Sequence, residues 1–336
     1  MKPAAPPFFV VSAPRSGSTL LRLILDAHPR LAVPPPGWLF ELVYPYLYSY
    51  GDLTQAANLR ELAEDILETP TVKKWPISTD PDGLAAAARA PGFRGLFDAV
   101  HRLYVESTGK ARWGEKSPRD CFWMDEIRAE FPDAKFVHLL RDGRDQAIDL
   151  ADSTLWPYSL FSAADLWQSY VMAARASGGR LPSDAYLEVR YEDLCADPKR
   201  TLETICAFLG EEFDPRMLAH HETASARKWS DDPLHAKTSR PITAEYCGMF
   251  ETRLSGADRA ALDAHIGDTL KLLGYPVSPS AKPIDARLAA QLLNSDRITN
   301  PANVPYKRWH EQRRRARLER GMWRERDRDS LLWAMR

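Results

Sequence analysis

The chain has 336 residues, 44% hydrophobic and 27% charged, enough for one large or two ordinary domains with a well-buried core. Its formal net charge of -1 gives no global field that would recruit nucleic acid or an anionic membrane, so any positive patch must be local. Cys121, Cys195, Cys206 and Cys247 show no metal-type pairing, no basic segment of a signal peptide precedes Phe8, and no apolar run approaches the ~20 residues of a membrane span, so the expected compartment is the cytoplasm.

In chain order, the apolar run Phe8 to Val11 predicts a strand, Ala13 to Thr19 a small-residue turn, and Leu20, Leu21, Leu23 and Ile24 a helix. Such a turn presents backbone N–H groups at a helix N-terminus, where phosphate is held. "LAVPPPGW" breaks the pattern with three prolines, and "WLFELVYPYLYSY" predicts an aromatic-rich helical segment that either walls an apolar pocket or packs as core. Residues 53 to 107 read as polar and amphipathic helices. Their Pro-rich interruption at 75 to 92 serves equally as acceptor-binding loops or plain connectors.

A second unit begins near "ARWGEKSPRD", runs through a helix from Cys121 to Glu130, and gives a strand from Ala134 to Leu140; the charged turn "RDGRD" then starts another helix. "AYLEVRYEDL" predicts a third strand and Pro198 to Gly210 a helix, with Gly210 as its C-terminal cap. Alternating strands and helices predict an α/β fold, with a parallel sheet covered on both faces. Beyond Pro276 the composition changes, and Tyr306 to Arg328 is dominated by arginine around Trp309 and Trp323. We therefore expect one domain over 1–280, with inserted helices over 37–107 for an acceptor, and an Arg-rich helical extension over 281–336. The extension is either a solvated segment closing over the domain or over a second copy in a homodimer, or a basic dock for an anionic partner.

The first turn is not a nucleoside triphosphate loop. The P-loop pattern G-x-x-x-x-G-K-[ST] places a lysine where Ser18 stands once Gly17 and Thr19 are aligned. The fixed cation is Arg15, two residues before the glycine, which suits a smaller anion gripped without a metal.

Pro14-Arg15-Ser16-Gly17-Ser18-Thr19-Leu20-Leu21 resembles the 5'-phosphosulfate loop of the PAPS-dependent sulfotransferases. "LDAHP", "WGEKSP", "FPDAKFVHLLRDGRD", "VRYEDLCADPKRTLETICAFLG" and "LLGYP" are, in this order, similar to phrases of that family's bacterial and Golgi-like branch. The resemblance spans residues 8 to 276 and implies a P-loop-type three-layer fold with a central parallel sheet flanked by helices. It implies transfer of a sulfuryl group from PAPS to a hydroxyl or amine of a small-molecule, lipid-like or glycan acceptor, with PAP released and no metal required.

The resemblance also implies roles. Arg15 and Lys116 would face the bridging oxygen on which charge develops. The amides of Ser16, Gly17, Ser18, Thr19 and Leu20, with the Ser18 and Thr19 hydroxyls, would hold the 5'-phosphate. Arg141 would grip the 3'-phosphate, Tyr191 the adenine, and Arg240 would close over the nucleotide. Arg144 and Asp145 are expected to stabilise the turn and the next helix, and His28 to cap the turn after the first helix. Two positions depart from the family pattern. Asp149 stands where relatives carry Ser; a carboxylate facing the phosphate is repulsive unless a cation intervenes, so either a cation stands beside Asp149 or it points away with Ser153 replacing it. Pro36 stands where many relatives carry the Glu that acts as general base; Glu41, one to two turns on, is the candidate substitute, unless the acceptor is acidic enough to need none. A catalytically weak PAP- or PAPS-binding relative acting through partners is the second reading, and a P-loop kinase of small molecules the third.

Overall fold

The computed structural model describes residues 5–153, 159–230 and 236–278; the Arg-rich extension over 281–336 lies outside them. Five strands make one all-parallel sheet in the order β2-β3-β1-β4-β5. They are β1 (Phe8–Ser12), β2 (Leu31–Ala32), β3 (Arg112–Lys116), β4 (Lys135–Leu140) and β5 (Tyr186–Arg190). The helices are α1 (Ser18–Asp26), α2 (Leu39–Leu42), α3 (Ala56–Leu67), α4 (Pro81–Ala87), α5 (Gly92–Thr108), α6 (Met124–Glu130), α7 (Gly143–Ala151), α8 (Leu160–Gly178), α9 (Tyr191–Ala196), α10 (Pro198–Leu209), α11 (Ala224–Ser230), α12 (Met249–Arg253) and α13 (Gly256–Leu272).

Side-chain alternation along β1 builds the three layers. Phe9 and Val11 face a core shared with Phe40, Phe97, Trp113, Phe131 and Trp167, whereas Phe8 and Val10 face a second core with Leu21, Ile24, Leu202 and Cys206. Both faces are covered, so the strand reads as an unbroken apolar run. Phe9 lies 5.6 Å from Phe136 and 5.8 Å from Trp113, ring centroid to centroid. β1 pairs with β3 on one side (Val10 opposite Lys116) and with β4 on the other (Ser12 opposite Leu139). The chain reverses its direction of travel across the sheet at β1, and ligands of open α/β sheets bind beyond the strand C-termini at such a point.

Several element boundaries differ from the sequence expectation. The strand in "AYLEVRYEDL" stops at Arg190, and Tyr191–Ala196 is helix α9. The expected Cys121 to Glu130 helix is a 3-10 turn, Pro118–Phe122, followed by α6. The Pro-rich stretch 75–92 holds a true helix, α4, because Asp80 caps it by accepting from the Gly83 amide and Pro81 suits its first turn. The edge strand β2 went unseen: two residues beside three prolines carry no periodic signal. The aromatic segment after Trp38 is α2 followed by the 3-10 helix Tyr44–Tyr50, and Phe40, Tyr46 and Tyr50 are buried as core.

Candidate active site

The strand C-termini deliver three cations to one cleft of about 1330 Å³: Arg15 after β1, Lys116 at the end of β3 and Arg141 after β4. The loop after β1 is built for close backbone approach. Arg15 (φ 65°) and Gly17 (φ 89°) both occupy the left-handed region, a pairing that turns successive N–H groups into a concave anion nest. Gly17 is the N-cap of α1 and no side chain among the described residues caps that end, so the first-turn amides are presented to the cleft. A Cβ on Gly17 would stand 2.5 Å from the Tyr191 ring, so only glycine fits between the loop and α9. Gly17, Ser18, Thr19 and Leu20 line the cleft; Ser16 is buried and does not.

Lys116 is buried, with its Nζ 3.4 Å from Thr19 Oγ1. Burial, reinforced by the Arg22 guanidinium, pushes its pKa down to about 7, against the opposing pull of Glu115 and Asp120. Arg22 lies beneath the loop and donates to the Val33 carbonyl (2.7 Å). Arg141 is 2% exposed. Its guanidinium donates to the Arg15 carbonyl (2.6 Å), to Asp149 Oδ2 (2.9 Å) and to the Tyr246 carbonyl (2.8 Å), and its centre lies 5.0 Å from the Tyr191 ring. Trp167 fixes this turn from behind: its indole N–H donates to the Arg141 carbonyl, and its ring fills the space a Cβ on Gly143 would need.

Arg144 and Asp145 serve the scaffold. Arg144, 1% exposed, bridges Asp142 (2.6 Å) and Asp263 (2.8 Å), tying α7 to α13. Asp145 accepts from the amides of Gly248 (2.6 Å) and Phe250 (2.9 Å), so it secures the start of α12 as well as sitting in the first turn of α7; burial raises its pKa to about 6. His28 accepts at Nδ1 from the Arg30 amide (3.2 Å) and lies 2.9 Å at Nε2 from the Glu212 carbonyl, so it ties the end of α1 to the segment after α10.

Of the two arrangements open to Asp149, the structure has the one with cations beside it. It does not point away: Oδ1 pairs with Arg15 (2.9 Å), Oδ2 with Arg141 (2.9 Å), and Lys237 Nζ lies 3.6 Å from Oδ1. Although burial opposes ionisation, the two guanidiniums prevail and hold the carboxyl pKa down at about 2. Asp149, near the end of α7, faces the loop after β1 through its pair with Arg15. Ser153, its expected substitute, is outside the cleft lining. Arg240 is exposed and also outside the lining, where Lys237, Thr238, Pro241, Thr243 and Tyr246 stand instead. Lys237 lies 4.2 Å from the Tyr246 ring. Only the turn at Ala236–Ser239 decides which cation of "AKTSR" faces inward.

Pro36 lines the cleft beside Pro35 and Trp38. Of the aromatic residues in "GWLFELVYPYLYSY", Trp38 is the cleft residue. Glu41 is not in the lining; it pairs with Arg119 (3.0 Å), and burial raises its pKa against that pairing. The segment 35–38 is held by a group that sequence reasoning missed. Glu115, on β3, accepts from the Gly37 amide (2.8 Å) through Oε1 and meets His101 Nε2 (2.8 Å) through Oε2. Its signal was present in "WGEK", where strand alternation turns Glu115 to the opposite face from Lys116. The far arm of the cleft is lined by Asp26, Thr71, Lys74, Pro76, Tyr104 and Lys110. Asp26 accepts from the Val33 amide (3.0 Å) and pairs with Lys110 (2.9 Å).

Comparison with known proteins identifies the family. The model described as "Sulfotransferase family" matches residues 6–215. The putative protein-tyrosine sulfotransferase of Caenorhabditis briggsae is 25% identical over 296 residues, covering 82% of this chain and 90% of that protein. The nodulation protein NoeE of Sinorhizobium fredii is 26% identical over 229 residues, and the protein-tyrosine sulfotransferase of Drosophila melanogaster 24% over 298; these alignments cover 62% and 83% of this chain but only 50% and 53% of those proteins. Among solved structures, the sulfotransferase domain of the Synechococcus PCC 7002 olefin synthase superposes with a TM-score of 0.56 at 24% identity, covering 83% of this chain and 98% of that one. The sulfotransferase domain of the curacin biosynthetic pathway gives 0.56 at 17%, covering 83% and 100%. No helix among the described residues is long and apolar enough to cross a membrane.

Proposed function

The chain belongs to the sulfotransferase family, and on that premise we propose that it transfers a sulfuryl group from PAPS to the hydroxyl or amine of an acceptor, releasing PAP. The observation that carries this reading is the convergence of Arg15, Lys116 and Arg141 with the nest amides on one cleft. PAPS supplies a sulfuryl group carried on a phosphate leaving group. The amides at the start of α1 and the hydroxyls of Ser18 and Thr19 suit the 5'-phosphate. Arg15 and Lys116 stand where charge grows on the bridging oxygen, so the transition state gains more from them than the ground state does. Arg141, which lines the cleft and packs against Tyr191, suits the 3'-phosphate. These side chains supply positive charge that a metal would otherwise provide.

The acceptor arm favours a hydroxyl that ionises readily. Among the described residues, the carboxylates lining the cleft, Asp26 and Asp149, are both committed to cations. Glu41 could take a proton only after leaving Arg119. A phenol needs the least help, and two of the relatives above are named for transfer to tyrosine, whose hydroxyl is a phenol. Pro35, Pro36, Trp38 and Pro76 offer apolar faces for such a ring. A PAP-binding relative without turnover is the second reading, favoured by Pro36 and Asp149 together.

The test is acceptor-dependent PAP release, followed by mass spectrometry over a panel of phenols, alcohols and amines with EDTA present. Turnover with at least one acceptor is expected, falling about 10² to 10³-fold in Arg15→Ala with the melting temperature retained, the usual cost of removing one donor aimed at developing charge. Silence of the wild-type protein across the panel, with PAP still bound, would favour the second reading.

A further inference from the structure

We propose that Asp149 sets the donor preference of this chain, as an internal anion that competes with a nucleotide 3'-phosphate for Arg141 and Lys237. The inference rests on the donor reading above and adds a residue that works against one part of the donor.

Three cations from three different segments meet this carboxylate: Arg15 from the loop after β1, Arg141 from the β4–α7 turn, and Lys237 from the turn before Arg240. Each oxygen of Asp149 accepts a 2.9 Å bond from one guanidinium, so the carboxylate is held in place by cations while each oxygen keeps a further lone pair. Its negative charge leaves a net +2 on the four groups. A phosphate reaching Arg141 arrives within a few ångströms of that carboxylate, and an ionised carboxylate has no proton to donate to it. A serine or asparagine at this position would donate a hydrogen bond; aspartate repels. A carboxylate accepts readily from a ribose hydroxyl, the same discrimination by which an acid selects an unphosphorylated ribose and an arginine a phosphorylated one. The 3'-phosphate therefore adds less to binding here than Arg141 and Lys237 would otherwise give, and the chain distinguishes weakly between nucleotides with and without it. PAP consequently leaves faster than from a site lacking the carboxylate.

The test measures PAP and 5'-AMP affinities by calorimetry, at one fixed ionic strength, for the wild type, Asp149→Asn, Asp149→Ser and Asp149→Glu. The expected result is a PAP-to-AMP affinity ratio at least tenfold higher in the Asn and Ser variants, a ratio near wild type in the charge-preserving Glu variant, and slower PAP dissociation by stopped flow in the first two. An unchanged or lower ratio in folded Asn and Ser variants would overturn the inference and make Asp149 a brace for the two arginines. Loss of cooperative melting in both variants would do the same. Wild-type protein that binds neither nucleotide would defeat the donor reading itself, whereas wild type that binds PAP with variants of unchanged ratio would defeat this inference alone.

Discussion

Lys116 makes the donor affinity depend on pH in a direction that can be worked out. Burial brings its pKa from 10.5 to about 7, so above neutrality the side chain is largely uncharged in the unliganded protein. An anionic donor beside it stabilises the ammonium and draws the pKa back up. Nucleotide binding then takes up a proton between the two pKa values, and affinity falls as pH rises. If the bound pKa returns to its ordinary value, raising pH from 7.5 to 9.5 weakens binding ~70-fold, close to the tenfold per unit limit for one linked proton. The window is chosen because the secondary phosphate ionisations, near pH ~6, are complete above it. Calorimetry of PAP binding in buffers of different ionisation enthalpy counts the protons directly, and nearly one should be taken up at pH 8.5. Lys116→Arg, which stays charged, should flatten the profile. A flat affinity from pH 7.5 to 9.5, with no buffer dependence of the enthalpy, would refute the reasoning.

Two further perturbations probe the loop and the acceptor side. Gly17→Ala places a side chain at φ 89° and 2.5 Å from the Tyr191 ring; the left-handed backbone alone costs about 1–2 kcal/mol, so a lower denaturation midpoint and PAP affinity reduced about tenfold are expected by urea titration and calorimetry, and wild-type values in both would contradict the close approach. Glu41→Gln should change turnover of a phenolic acceptor less than threefold, because the carboxyl pairs with Arg119 outside the cleft; a loss approaching the ~10² to 10⁴-fold of a true general base would show that the pair opens during the reaction.

What the sequence by itself determined are the features carried by neighbouring residues. The strand-turn-helix at Phe8 to Ile24, the C-terminal cap at Gly210 and the alternation of strands with helices all arise from local backbone sterics and short-range periodicity. They sufficed for a parallel sheet and a glycine-bearing turn at the start of the first helix, and the family phrases pointed to Arg15, Lys116 and Arg141. Only the tertiary structure decided how those groups are balanced. The direction of Asp149 depends on Arg15, 134 residues away; the inward cation of "AKTSR" depends on a turn that brings Lys237 rather than Arg240 to the cleft; the proton affinity of Lys116 depends on burial beside Arg22; and the position of Gly37 depends on Glu115 and His101. Charge balance and desolvation are set by distances of a few ångströms between groups far apart along the chain, and no local pattern encodes them.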